Sequence, residues 1–222
     1  MLYIVSTPIG NLKDITLRAI EVLKSVDLIA AEDTRHTGIL CKEYGFTAPL
    51  TSYFDHNESG KARQLVEQLQ AGKNIALVSD AGTPGINDPG YRLVSLAKES
   101  GVPVTVIPGP CAAIAGLSLS ALPTDKFAFF GFVPLKPGAR KKKFEEARVF
   151  GGTAIFYESP HRIVKTLKSL EETMGDPVVV IAREITKKFE ERIEGKAGAL
   201  AAEFTRREPK GEFVLLLHFT EA

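Results

Sequence analysis

The feature that most constrains this chain is the order in which short apolar runs alternate with helical patterns. Residues 2–6, 28–31, 75–79 and 104–107 are strand-like runs rich in Val, Ile, Leu and Ala, and residues 50–53 form a further short one. Between them Ile15, Ala19, Leu23 and Val26 recur on one helical face, and helical patterns run over 37–44, 59–70, 90–100 and 111–121. A succession of βα units predicts a mostly parallel sheet covered by helices on both faces.

The pattern breaks at Leu122-Pro123-Thr124-Asp125, where two α/β domains are expected to meet, residues 1–122 and 123–222. In the second part Phe127–Phe132, 153–157, 178–182, 189–193 and Phe213–Phe219 read as strands. A charged helix is expected around 138–149 and another over 161–174. The higher strand content predicts a mixed sheet there.

Hydrophobic residues are 44% and charged residues 25% of the 222, enough to bury a sizeable core, and no stretch is long and apolar enough to cross a bilayer. The first residues read as a strand, without the basic start and cleavage site of a secretory signal. Cys41 and Cys111 are too few for a disulfide scaffold, which fits a cytoplasmic home. With a formal net charge of +1, affinity for nucleic acid has to come from local clusters. Arg140-Lys141-Lys142-Lys143 is the strongest of these, ahead of Lys187-Lys188 and Arg206-Arg207. Each by itself also reads as a solvated helix face or turn.

In open α/β sheets ligands bind beyond the carboxyl ends of the strands. The loops leaving those ends are residues 6–11, 32–35, 80–90 and 108–111, all rich in Gly, Pro, Asp, Asn and Thr. One such loop is ordinary turn chemistry; four along one sheet edge point to a pocket. Neither the P-loop pattern nor the Gly-x-Gly-x-x-Gly fingerprint occurs, and these loops carry very few cations, Lys13 and Arg35 being the exceptions. A polyphosphate would be poorly compensated, whereas a sulfonium or zwitterionic ligand suits acidic and neutral groups. His36, His56, His161 and His218 are scattered, with no metal-ligand spacing, so no metal is expected. No nucleophile elbow is present either.

Seven motifs then stand in order along the chain: Thr7-Pro8-Ile9-Gly10-Asn11-Leu12, Glu32-Asp33-Thr34-Arg35, Ser79-Asp80-Ala81-Gly82-Thr83-Pro84, Asp88-Pro89-Gly90, Pro108-Gly109-Pro110, Phe156-Tyr157-Glu158-Ser159-Pro160-His161-Arg162 and Arg183-Glu184-Ile185-Thr186-Lys187. Together they resemble the branch of the tetrapyrrole-methylase superfamily that methylates small-subunit ribosomal RNA. The resemblance implies two α/β domains with S-adenosylmethionine in the cleft between them, usually in a homodimer. It implies methylation of a cytidine 2′-oxygen in the decoding region of 16S ribosomal RNA. By position, cofactor contacts would fall on Pro8, Ile9, Gly10, Asp80, Gly82, Thr83, Pro84, Ile86, Cys111 and Ala112, with Tyr157, Glu158, Ser159 and Pro160 closing the pocket. Asn87 and Cys111 stand where the family more often has Ser, and many relatives continue beyond Phe219 into a small further domain.

For such a reaction a positioned base assists the ribose hydroxyl. Glu184 with Lys187 is the first candidate and Asp33 the second, with Arg35 and Arg183 orienting a phosphate or carboxylate. RNA is expected to meet Arg35, Arg140, Lys141, Lys142, Lys143 and Arg162. The alternatives are methylation of a small tetrapyrrole-like substrate and a nucleotide-binding module without catalysis.

Overall fold

The structure is a computed structural model and describes residues 1–220. Its contacts divide the chain into two compact units, Met1–Cys111 and the part from Ala112 onward. The division falls before the helix over Ala112–Ser120, which the sequence pattern places in the first part. The helix goes with the second unit because it packs on that unit's strands.

The first unit carries strands β1 (Leu2–Val5), β2 (Leu28–Ala31), β3 (Leu50–Ser52), β4 (Ile75–Val78) and β5 (Val104–Ile107). They form one sheet in the order β3-β2-β4-β1-β5, parallel throughout. Helices α1 (Leu17–Ser25), α2 (Thr34–Tyr44), α3 (Glu58–Gln70) and α4 (Tyr91–Glu99) make the crossovers. From β1 to β2 to β3 the chain moves one way across the sheet; from β3 to β4 to β5 it returns. Right-handed crossovers then place α1 and α2 on one face and α3 and α4 on the other. The cores bear this out: Ala19, Leu23 and Leu40 pack with Val5, Ile29 and Val78, while Leu65, Leu93 and Ala97 pack with Leu2, Ala30 and Leu77. Both sides of the central strands β1, β2 and β4 are largely buried, hence their unbroken apolar runs.

Helix α2 begins three residues before the sequence pattern places it. Asp33 caps it, its side chain accepting from the Arg35 amide at 2.8 Å. The motif that reads as loop is therefore a loop and a helix start together.

The second unit has strands β6 (Phe127–Phe132), β7 (Gly152–Glu158), β8 (Val178–Arg183), β9 (Glu191–Lys196) and β10 (Phe213–Phe219), in the order β6-β7-β10-β8-β9. Only β6 and β7 pair in parallel; β10 runs antiparallel to β7 and β8, and β9 antiparallel to β8. Helices α6 (Pro137–Phe150), α7 (Ile163–Met174) and α8 (Ala197–Arg207) cover one face through Phe144, Phe156, Leu167, Leu200, Phe204 and Leu215. Helix α5 (Ala112–Ser120) covers the other. At Gly116 a side chain is excluded: a Cβ would lie 2.8 Å from Val214 Cγ1, so only glycine lets α5 approach β10 this closely.

One expectation is corrected and one element is added in this unit. The strand expected at 189–193 starts at Glu191, and Phe189 is exposed in the turn before it. Helix α8 is unanticipated, although Ala197, Leu200, Ala201 and Phe204 have helical spacing. It starts after Lys196 with no side-chain cap, so the usual start signal is missing. Among the described residues no helix is long and apolar enough to cross a membrane.

Candidate functional site

Strands β1 and β4 are neighbours whose outgoing loops turn to opposite faces, toward α1 and α4. That divergence opens a crevice at their carboxyl ends, the topological switch point of the sheet. Here the loops after β1, β4 and β5 are stapled together. Thr7 and Gly82 exchange backbone hydrogen bonds at 2.8 and 3.1 Å. The Thr7 hydroxyl donates to the Ser79 carbonyl at 3.1 Å. The Thr83 hydroxyl meets Ser6 Oγ at 2.9 Å and donates to the Pro110 carbonyl at 3.2 Å. Gly109 closes the arrangement, since a Cβ there would sit 2.9 Å from that of Ser6.

A cavity of about 240 Å³ opens beside these staples, lined by Thr7, Pro8, Gly10, Leu12, His36, Thr37, Ile39, Leu40, Ser79 and Asp80. It contains no Lys or Arg. Its volume is below the ~300–1,000 Å³ of sites that enclose a whole small molecule, so it has room for only part of one. Of the residues expected to bind a cofactor, Pro8, Gly10 and Asp80 line it. Ile9 is buried behind it, next to Gly82; a Cβ on Gly82 would stand 3.5 Å from Ile9 Cγ2. Pro84 is buried, Ile86 is exposed, and Cys111 and Ala112 are partly buried at the end of the β5 loop.

Carboxylates gather along the same edge. The Asp33 amide donates to Asp80 Oδ1 at 3.0 Å, and the Asp80 amide to Glu32 Oε2 at 3.3 Å. Burial raises the Glu32 carboxyl above its ordinary value, against the Asp80 amide and with help from the charges of Asp80, Asp55 and Asp33. Burial and the Glu32 charge push Asp88 up to about 7, although the Ser79 hydroxyl works the other way. Asp88 belongs to a motif the sequence displays, but its perturbation depends on neighbours supplied by the fold. Asp33 behaves in the opposite sense. The hydrogen bonds from Arg35, at 2.6 Å from Nη2 to Oδ2, hold it well below the usual carboxylate range.

The candidate residues of the second unit are occupied by their own framework. Glu158, 2% exposed, accepts from the Ser159 amide, the Thr166 hydroxyl and the Arg162 guanidinium. Arg162 also donates to Ser159 Oγ and the Val133 carbonyl. The Tyr157 hydroxyl accepts from the Ala113 amide at 3.0 Å. Pro160 is partly buried beside them. Glu184 and Lys187 do come together, at 2.9 Å, and Lys187 also donates to Glu212 at 2.7 Å. Burial acts to raise the Glu184 carboxyl, but the bonds from Lys187 and the Glu212 amide outweigh it and hold the group low. Glu184 has a positive φ of 51° and its Oε1 accepts from both Lys187 and the Glu212 amide, which describes the anchor of a turn. A proton acceptor works better with a more basic carboxylate than these bonds leave.

The expected RNA-binding cluster is broken up. Arg140 is only 8% exposed and donates to the carbonyls of Pro134, Leu135 and Lys165. A side chain pinned by three carbonyls inside the unit is a brace. Lys143 pairs with Glu146 at 2.7 Å and Lys141 with Glu145 at 4.0 Å. Lys142 stays exposed.

Comparison with known proteins agrees with this geometry. Residues 1–201 match the family model described as tetrapyrrole (corrin/porphyrin) methylases. The chain is 51% identical to ribosomal RNA small subunit methyltransferase I of Escherichia coli over 97% of its length and 77% of the relative's. It is 52% identical to the same-named protein of Vibrio cholerae, over 98% and 77%. A crystal structure of uroporphyrin-III-C-methyltransferase from Thermus thermophilus shares the fold, with a TM-score of 0.68 at 18% identity, covering 97% of this chain and 93% of that one.

Proposed function

We propose, from the premise that the chain belongs to the tetrapyrrole (corrin/porphyrin) methylase family, that it methylates small-subunit ribosomal RNA with S-adenosylmethionine as the donor. The acceptor we propose is the 2′-oxygen of a cytidine in the decoding region. The observation that carries the donor assignment is the switch-point crevice, free of Lys and Arg along its lining and backed by the under-compensated carboxyls Glu32 and Asp88. Such a site favours a cationic or zwitterionic ligand over a polyphosphate. The substrate assignment is supported by the names of relatives about half identical over 97–98% of this chain and 77% of their own length.

The residues fit the group. Pro8, Gly10 and Asp80 would hold the donor, with Ile9, Gly82, Thr83, Pro84, Ile86 and Cys111 shaping the loops around it. When bound, the donor supplies an electrophilic methyl group on a sulfonium sulfur. Ser6, Thr7 and Thr83 keep three loops in one arrangement before a ligand arrives, which lowers the cost of ordering them on binding. Glu32 and Asp88 lie along the same strand-end edge, where a bound cation would favour their charged forms. Asp33 fixes the start of α2 and orients Arg35. Glu184 and Lys187 hold the β8–β9 turn, and we assign them a positioning role in place of proton transfer.

The test is methyl incorporation from labelled S-adenosylmethionine into small ribosomal subunits and, separately, into uroporphyrinogen, followed by nucleoside analysis. The expected product is 2′-O-methylcytidine from RNA alone. Incorporation only into the tetrapyrrole would move the chain to the small-substrate branch. Donor binding without any incorporation would make it a binding module.

A further inference from the structure

We propose that the corner of the second unit built by the β6–α6 turn and the start of α7 docks the ribose-phosphate backbone of RNA, through Lys136 and Lys165, with Leu135 as an apolar contact for a base. The proposal rests on the reading of the chain as an RNA methyltransferase and locates the substrate's docking surface. Strand β8 runs with β7, and β6 pairs with β7 in parallel, so the turns after β6 and β7 share one sheet edge. One guanidinium joins them: Arg140 Nη2 donates to the Leu135 carbonyl at 3.0 Å and Nη1 to the Lys165 carbonyl at 3.2 Å. Residues 135 and 165 are thereby fixed side by side. Arg162 organises the same corner from within, paired with Glu158 at 2.6 Å and lying 5.8 Å from the Phe132 ring.

With both arginines turned inward, the cations facing solvent are Lys136 and Lys165, with exposed His161 beside them. Among the described residues neither lysine has an ion-pair partner, in contrast to Lys141 and Lys143. Neither α6 nor α7 carries an acidic residue in its first turn, so these cations sit where the helix dipoles oppose them. Uncompensated charge held on a rigid brace marks a place where local rules yield to function, and a polyanion relieves it. Leu135 is 70% exposed and Phe132 47%. Two apolar side chains ringed by lysines fall short of a protein–protein interface, where lysine is depleted and an apolar centre is needed. They match a nucleic-acid strand, whose phosphates meet cations and whose unstacked bases meet apolar surface.

The experiment measures binding of a 16S ribosomal RNA transcript across a salt series for wild type, K136Q/K165Q, L135A and K141Q/K143Q. For K136Q/K165Q the slope of log affinity against log salt should shrink by about 1.4, near 0.7 for each single-strand phosphate left without its lysine, with affinity down about tenfold at 0.15 M salt. L135A should weaken binding at an unchanged slope, and K141Q/K143Q should keep the wild-type slope. Calorimetric donor affinity should be the same in all four proteins. A wild-type slope in K136Q/K165Q, in an enzyme that still methylates RNA, overturns the docking surface and leaves the function standing. The same slope with an altered association state in sedimentation assigns the corner to protein contact and also overturns it. If the wild-type chain neither binds nor methylates RNA, the functional reading fails first.

Discussion

The two units treat their acidic groups in opposite ways. Along the strand ends of the first unit Glu32 and Asp88 are half-buried among other carboxylates and titrate above their ordinary range. In the second unit Glu184 and Glu191 are also shielded from water. Bonds from Lys187 and Arg207 nonetheless outweigh that burial and hold both groups low. One edge is electrically unfinished, and a positive ligand would complete it. The other is closed upon itself as salt bridges and braces, so its carboxylates serve the framework. Asp33, paired with Arg35, is the exception on the first edge.

The contrast can be broken most sharply at Glu158. Replacing it with alanine strands Arg162 and opens the Ser159 amide and Thr166 hydroxyl, which should cost about 3–5 kcal/mol in urea unfolding. A loss near zero would mean that the second unit does not depend on its internal pairing. Arg140→Ala should cost about 2–3 kcal/mol, because three interior carbonyls lose their donor. If the variant is as stable as wild type while its RNA salt slope falls, Arg140 faces the substrate after all.

On the first unit, Thr83→Val should cost only about 1 kcal/mol of stability while weakening donor affinity about tenfold, since it cuts the staple between three loops. Equal losses in both would demote the staple to framework. The smallest effect is the pH dependence of Asp88. Its folded-state pKa of about 7 lies above the unfolded carboxylate value, so the folded chain binds more protons in between. Its stabilising contribution is complete below the unfolded value and is lost as pH rises through 7. Between pH 5 and 8 the melting temperature should therefore fall more for wild type than for Asp88→Asn, and parallel curves would deny Asp88 its raised value.

The sheet of the first unit was legible in the sequence because strands buried on both faces read as unbroken apolar runs and Gly, Pro and Asp mark where each run ends. The candidate loops were legible for the same reason. The crevice between β1 and β4 was not, because strand order decides which loops become neighbours. Charge state was the least legible property. The pairs Lys141–Glu145 and Lys143–Glu146 follow helical spacing and stand in plain view. Arg140, read as one more surface cation beside them, is buried by carbonyls 5, 6 and 25 residues away, a partnership only the tertiary fold supplies.

The central claim is that the crevice of the first unit receives a sulfonium donor. Titration calorimetry with S-adenosylmethionine and its demethylated product addresses it directly. Both should bind, and Thr83→Val should weaken both. Absence of heat with either ligand, together with firm binding of a nucleoside triphosphate, would contradict the account.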